Sequence, residues 1–186
     1  MDPFATLGFE RRYNIDKTLL DRRYRELQQA LHPDKHVSAP ASERALTLSK
    51  AIEVNEAYRV LRDDQKRGEA LLAALVATTN RALSKEQADP DLLVEMMELR
   101  EALSEAREAD DQAQVSLLAA DVTEKASATS RQLSEAFARL EKENESGSAG
   151  EANAQQLRDA QTLLSRLRYY RRFQDEVAQF EDQALT

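Results

Sequence analysis

The stretch Leu20-Asp-Arg-Arg-Tyr24-Arg-Glu-Leu27-Gln-Gln-Ala-Leu31-His32-Pro33-Asp34-Lys35-His36 decides how the first half of this chain folds. Its apolar positions, Leu20, Tyr24, Leu27 and Leu31, recur at steps of four, three and four. At about 100° per residue they fall inside one stripe roughly 60° wide, the buried face of an amphipathic helix. Asp16 stands where an N-cap belongs, so a helix is predicted over about 17–31. Pro33 disfavours helical geometry at His32 and removes a backbone donor, so the chain must turn there. The outcome is an exposed imidazole and carboxylate at a rigid corner, with Arg22, Arg25 and Gln29 on the helix's outer face.

Working outward, Val37 to Ser42 is a loop that contains Pro40, and a third helix is predicted over about 42–62. Its inward stripe is Ala51, Val54, Tyr58 and Leu61, with Tyr58 read as a core aromatic. Two antiparallel helices packed through Tyr24, Leu27, Val54 and Tyr58 make a hairpin with the corner at its tip. Leu48 and Ile52 point elsewhere and leave an apolar surface for a neighbouring domain. Before the hairpin, residues 4–8 form a short helix or turn anchored by Phe4 and Leu7, and Tyr13 and Ile15 in the connector bury. After it, a fourth helix is predicted over 66–77 with Leu71, Leu72 and Leu75 as its apolar contacts.

These residues resemble the J-domain, through which co-chaperones engage chaperones of the seventy-kilodalton heat-shock class. His32-Pro33-Asp34 alone is a weak signal. It comes, however, with Tyr24-Arg25 eight residues earlier, where the family has Tyr-Lys or Tyr-Arg. Asn55-Glu56-Ala57-Tyr58-Arg59-Val60-Leu61 and Asp64-Gln65-Lys66-Arg67 are similar to its third and fourth helices. Order, spacing and residue type agree over about 65 residues.

Composition bounds the rest. Of 186 residues 41% are hydrophobic and 32% charged, and only four Gly and four Pro interrupt them, which favours helix nearly throughout. No apolar run reaches the 18 residues or so that span a membrane. The opening Met-Asp-Pro-Phe reads as neither a signal nor a transit peptide, so a cytoplasmic protein is expected. There is no cysteine, which excludes disulfides and thiolate chemistry. Two histidines, both read as solvated, are too few for an obvious metal site, and no metal or cofactor is expected. Residues 1–75 carry 13 basic and 12 acidic side chains, whereas 76–186 carry 13 and 22. So acidic a second half disfavours nucleic acid as a partner, because phosphate contacts need a basic surface.

The fold class expected is all-α. It combines an N-terminal J-domain over 1–77, a connection over 78–90 that forms a packed interface, and an antiparallel three-helix bundle over 91–186. The bundle's helices are predicted at about 91–109, 111–143 and 152–184, broken at Asp110-Asp111 and at Glu145-Ser-Gly-Ser-Ala-Gly150. Leu133, Phe137 and Leu140 on one arm pack against Leu157, Leu164, Leu167 and Phe173 on the other.

The helix at 91–109 has more apolar surface than docking requires. With Leu92 as zero, Met96, Leu99 and Leu103 all fall within about 40° of it. Leu93, Val94 and Met97 lie roughly 100–200° round, beside Glu98, Arg100 and Glu101. Such a charge-rimmed second patch fits a partner surface, or all three side chains pack against another helix of the bundle. Leu92-Leu-Val-Glu-Met-Met-Glu-Leu-Arg-Glu-Ala-Leu103 is similar to the most characteristic stretch of the HscB family, J-type co-chaperones of iron–sulfur cluster assembly. That resemblance implies the partner surface, and names the scaffold protein IscU as what it binds. Leu93, Val94 and Met97 are then the apolar contacts, Glu98, Arg100 and Glu101 the polar ones. Tyr169 joins them, where the family's usual residue is Phe. His36 for a usual Phe, Gly68 and Ala70 for larger residues, and the stretch 76–90 depart from the family.

What the resemblance implies is an adaptor rather than an enzyme. His32, Pro33 and Asp34, with Tyr24, Gln65 and Lys66, bias an HscA- or DnaK-type chaperone toward ATP hydrolysis, and Arg22, Arg25 and Lys35 steer docking. Glu26 and Ala30 replace basic residues of general J-domains and weaken that steering. The rivals are a J-domain co-chaperone with an unrelated client and a purely structural helical adaptor.

Overall fold

The computed structural model describes residues 1–79, 89–145 and 151–184, and every regular element among them is helical. The chain divides into two compact units, residues 1–80 and 81–186. The Ser-Gly-Ser-Ala-Gly stretch at 146–150 and most of the expected connection at 78–90, with its packed interface, lie outside the described residues.

In the first unit α1 (Pro3–Thr6) is capped by Asp2, whose carboxylate accepts from the amides of Phe4 and Ala5. α2 (Lys17–Ala30) starts at Asp16, which accepts from Thr18 and Leu19, and stops as Pro33 demands. A single 3₁₀ turn, Pro33–His36, makes the corner, and α3 (Ala41–Arg62) returns. Asp21 meets Tyr58, and Tyr24 and Gln28 both meet Asn55, so the two helices run antiparallel. α4 (Asp64–Thr79) closes the unit, starting two residues before and ending two after the span read from periodicity.

The core is Phe4, Leu7, Tyr13, Leu20, Val54, Ala57, Leu61, Leu71 and Leu72. Tyr58 is not part of it. It is half-buried at the rim, stacked on Tyr24 at 3.9 Å between centroids, its hydroxyl donating to Asp21 and accepting from Arg62. The helix turns one residue further than the stripe suggested, so that Ala57 takes the fully buried place. A tyrosine hydroxyl needs a partner when buried, and the hairpin's edge supplies one. Leu48 and Ile52 point away from the core and are exposed.

At the end of the hairpin away from the corner, Arg67 is 3% exposed. Its guanidinium donates to the carbonyls of Tyr13 and Leu61 and to Asp64, each at 2.7 Å, and lies 4.7 Å from the centre of the Tyr13 ring. One side chain thus ties the connector before α2 to the α3–α4 junction.

The second unit is an up-down-up bundle of α5 (Pro90–Glu108), α6 (Gln112–Glu145) and α7 (Glu151–Ala184). The expected break at Asp110-Asp111 closes α5 with Asp110 in the left-handed region at φ 54°, the amides of Asp110 and Asp111 donating to Arg107 and Ala106. The Asp111 carboxylate then accepts from Gln114 and opens α6. Leu133, Phe137 and Leu140 on α6 and Leu157, Leu164 and Leu167 on α7 are buried, whereas Phe173, expected with them, packs in the cluster that α5 joins.

Truncating Arg67 leaves buried carbonyls without donors, so Arg67→Ala is expected to lower the urea-unfolding free energy by about 3–5 kcal/mol. Burial pushes the Asp64 carboxyl up, but hydrogen bonds from Arg67 and Lys17 outweigh it and hold it below 3.8. A carboxyl depressed on folding contributes stability that is whole above its unfolded value and lost as pH falls through its folded one. Asp64→Asn is therefore expected to flatten the fall in the unfolding midpoint below about pH 4.

Candidate functional site

Two features stand uncovered, one on each unit. The first is the corner. His32 is extended (φ −61°, ψ 131°) and caps the turn that follows, its Nδ1 accepting from the Asp34 amide at 3.3 Å. Because Nδ1 accepts, the neutral ring carries its proton on Nε2. The Asp34 carboxylate stands 3.5 Å from the same nitrogen, and both side chains are well exposed. Proline and cap together hold this polar tip in one shape without burying it.

His36 is not a solvated residue. It is half-buried, with Nε2 3.1 Å from the carbonyl of Ala30, and so ties the turn back to the end of α2. Behind the tip Leu31, Pro33, His36, Thr47, Leu48 and Ala51 line an apolar depression of about 270 Å³.

Of the other residues singled out in this half, Arg22, Arg25 and Lys35 are exposed, and Tyr24 is half-buried in the stack with Tyr58. Gln65 and Lys66 are not brought to the tip. They open α4, where Asp64 pairs with Lys17 at the start of α2, so the length of α2, about 21 Å, separates them from the corner. Gln65 is half-buried and donates to Glu69.

The second feature is the outer face of α5. Leu92, Met96, Leu99 and Leu103 are all 7% exposed or less and pack with Val115, Val122, Tyr170, Phe173 and Val177. Leu93, Val94 and Met97 are 40%, 55% and 71% exposed, so they do not pack into the bundle. Asp91, Glu98 and Glu101 are exposed beside them, with no side-chain partner among the described residues. Tyr169 is half-buried against the bundle core. Arg100 reaches across to α7, where its Nε and Nη2 donate to the two carboxylate oxygens of Glu176 at 3.3 and 2.9 Å. That hydrogen bond, against the pull of burial, raises the Arg100 pKa, and the nearby Tyr169 adds to it.

Polar pins set which way α5 faces. Asp89, its N-cap, pairs with Arg166. Glu95 accepts from the Tyr170 hydroxyl at 3.1 Å and pairs with Lys125 at 2.8 Å. The hydrogen bond to Glu95 raises the Lys125 pKa although burial opposes it. Arg107 donates to the Glu176 carbonyl at 2.7 Å and lies over the Phe180 ring. None of these partners emerges from helical periodicity. Glu176 had one local signal, since it follows Tyr169 by seven residues, two turns along the same face of α7.

Comparison with known proteins covers both units. The family model described as the DnaJ domain matches residues 2–69, and the one described as the HSCB C-terminal oligomerisation domain matches residues 88–178. The chain is 35% identical over 111 residues to a co-chaperone protein HscB homolog of Vibrio campbellii, a match spanning 60% of this chain and 64% of that relative, just under two thirds of its length. Against the homolog of Pasteurella multocida the identity is 25% over 185 residues, covering 100% of this chain and 99% of the relative. The solved chaperone HscB of Vibrio cholerae superposes with a TM-score of 0.77 at 27% identity, covering 98% and 99% of the two chains. The human co-chaperone protein HscB, at 23% identity, 97% and 82% coverage and a TM-score of 0.78, shares the fold. Among the described residues no helix is long and apolar enough to cross a membrane.

The exposure of the outer face carries a stability expectation. Leu93→Ala and Met97→Ala should each change the unfolding free energy by less than about 0.5 kcal/mol. Leu99→Ala, one turn along but inside, should lower it by about 2–5 kcal/mol in the same titration.

Proposed function

Because the chain belongs to the HscB family of J-domain co-chaperones, we propose that it is an adaptor. It binds the iron–sulfur scaffold protein IscU through the outer face of α5 and presents the His32-Pro33-Asp34 tip to an HscA- or DnaK-type chaperone. It thereby stimulates ATP hydrolysis and aids cluster assembly and transfer, working in the cytoplasm.

The observation that carries this reading is the exposure of Leu93, Val94 and Met97 on a helix whose opposite stripe is sealed. A helix that needed only to dock would have polar residues there. Three adjoining apolar side chains, one of them a flexible Met, make the centre of a binding patch. The unpaired Asp91, Glu98 and Glu101 rim it and favour a client surface with basic groups at that edge. Tyr169 contributes from α7.

The tip works by shape and charge. Its conformation is set before the chaperone arrives, so little ordering entropy is lost on docking. Arg22, Arg25 and Lys35 supply exposed cations that steer it toward an acidic surface. Gln65 and Lys66, a hairpin's length away, act on a second part of the chaperone. Client and tip on one chain raise the client's effective concentration at the chaperone, which couples nucleotide turnover to client capture. On this reading the chain regulates its partner's ATP hydrolysis rather than performing a reaction of its own.

Single-turnover ATP hydrolysis by the chaperone tests the first half. His32→Gln is expected to abolish stimulation with circular dichroism unchanged, and equal stimulation by the variant would falsify the role of the tip. Titration of IscU tests the second. Leu93→Ala combined with Met97→Ala is expected to weaken binding roughly thirtyfold, and unaltered affinity would leave a J-domain co-chaperone whose client binds elsewhere.

A further inference from the structure

We propose that Glu176 is a positioning residue of the client surface: it holds Arg100 flat along one edge of the α5 strip, so that the client meets a rigid, charge-balanced edge there and free carboxylates on the opposite one. This rests on the reading of the strip as the scaffold-binding face.

The argument begins with angles round α5. With Leu92 as zero, the strip of Leu93, Met97 and Val94 spans roughly 100–200°, Arg100 lies near 80°, and Glu98 near 240°. Arg100 and Glu98 therefore flank the strip on opposite sides. Arg100 is on the side of α7, where both oxygens of Glu176 take its Nε and Nη2 protons. Two parallel N–H···O bonds to one carboxylate fix the plane of the guanidinium as well as its place. The α7 backbone at Glu176 is tied to α5, because its carbonyl accepts from Arg107 at 2.7 Å and Arg107 stacks on Phe180 one turn further along α7. Tyr169 precedes Glu176 by two turns on the same face. The α7 side of the strip is thus a built edge of Tyr169, Arg100 and Glu176.

Without Glu176, Arg100 would be a long, mobile cation beside an apolar patch, and docking would have to order it. With Glu176 it is ordered beforehand, and its remaining N–H donors are offered beside a matched carboxylate rather than as a free charge. The two edges then differ in kind. One donates hydrogen bonds without net charge, and the other carries the unpaired carboxylates of Glu98 and Asp91. A client with basic groups fits one way round, because the reverse placement sets those groups against Arg100. Most exposed ion pairs contribute little to stability. The effect sought here is on binding.

Isothermal titration of the full chain with the scaffold protein, across Arg100→Ala, Glu176→Ala and the double variant, tests this. If Glu176 acts through Arg100, each single change weakens affinity about fivefold and the double is no worse than either. Melting temperatures monitored alongside should stay within a few degrees of the parent. A Glu176→Ala variant that binds as the parent does, whatever its melting temperature, would overturn the inference and leave only a structural ion pair. So would losses that add in the double variant, since Glu176 would then be an independent contact. A parent chain that binds no scaffold would instead overturn the strip reading, and this proposal with it.

Discussion

A helix laid in the groove of two others can bury only part of its circumference, and α5 carries apolar residues over more of it than that. Leu92, Met96, Leu99 and Leu103 fill the groove between α6 and α7, at about 1.5–3 kcal/mol of burial for each large side chain. Leu93, Val94 and Met97 are then left facing water by geometry alone. Much of their surface stays in water on folding, so they add little to stability. Their consequence is for association, since a contiguous apolar patch on an otherwise charged surface is an invitation to a partner.

Which stripe goes inside is decided by more than hydrophobicity, because a rotation of α5 by about 100° would bury Leu93 and Met97 in place of Leu92 and Met96. The polar pins exclude that rotation. Asp89 to Arg166, Glu95 to Tyr170 and Lys125, and Arg100 to Glu176 can be satisfied together in one orientation only. The ion pairs among them are partly exposed to water, so each is worth on the order of 1 kcal/mol. The division of labour follows from those magnitudes. Apolar burial supplies the holding force, and the pins select among nearly equivalent ways of applying it. Glu176 takes part in one of them through its carboxylate to Arg100, and its backbone carbonyl adds a further tie by accepting from Arg107.

The first unit solves the opposite problem, how to keep something polar outside and rigid. Nothing in His32-Pro33-Asp34 asks to be buried, so the tip could wander on its loop. Three local restraints prevent it: the fixed φ of Pro33, the His32 Nδ1 acting as a cap, and the His36 ring tied to Ala30. The hairpin that carries the tip is anchored at its far end by Arg67, whose donors replace backbone partners that a short connector could not supply.

Periodicity made the longer helices among the described residues readable, because burial on one face is a property of each element by itself, and Pro33 marked the corner. For Leu93, Val94 and Met97 it left open whether they face a partner or another helix. It failed where a residue's place depends on another element. Tyr58 has the spacing of a core residue, yet Asp21 and Arg62 offer its hydroxyl partners at the rim and Ala57 is small enough to let α2 and α3 close. His36 has the composition of a loop residue, yet the end of α2 supplies a carbonyl for its ring. Arg100 reads as a free cation on a helix surface, and only the packing of α7 alongside reveals that its charge is already matched. Such pairings join residues up to 76 positions apart in the chain. A carboxylate is at home on almost any exposed helical position, so its sequence context leaves open which arginine it will meet. Apolar pattern therefore locates the α5 strip, while the character of its edges is a property of the assembled bundle.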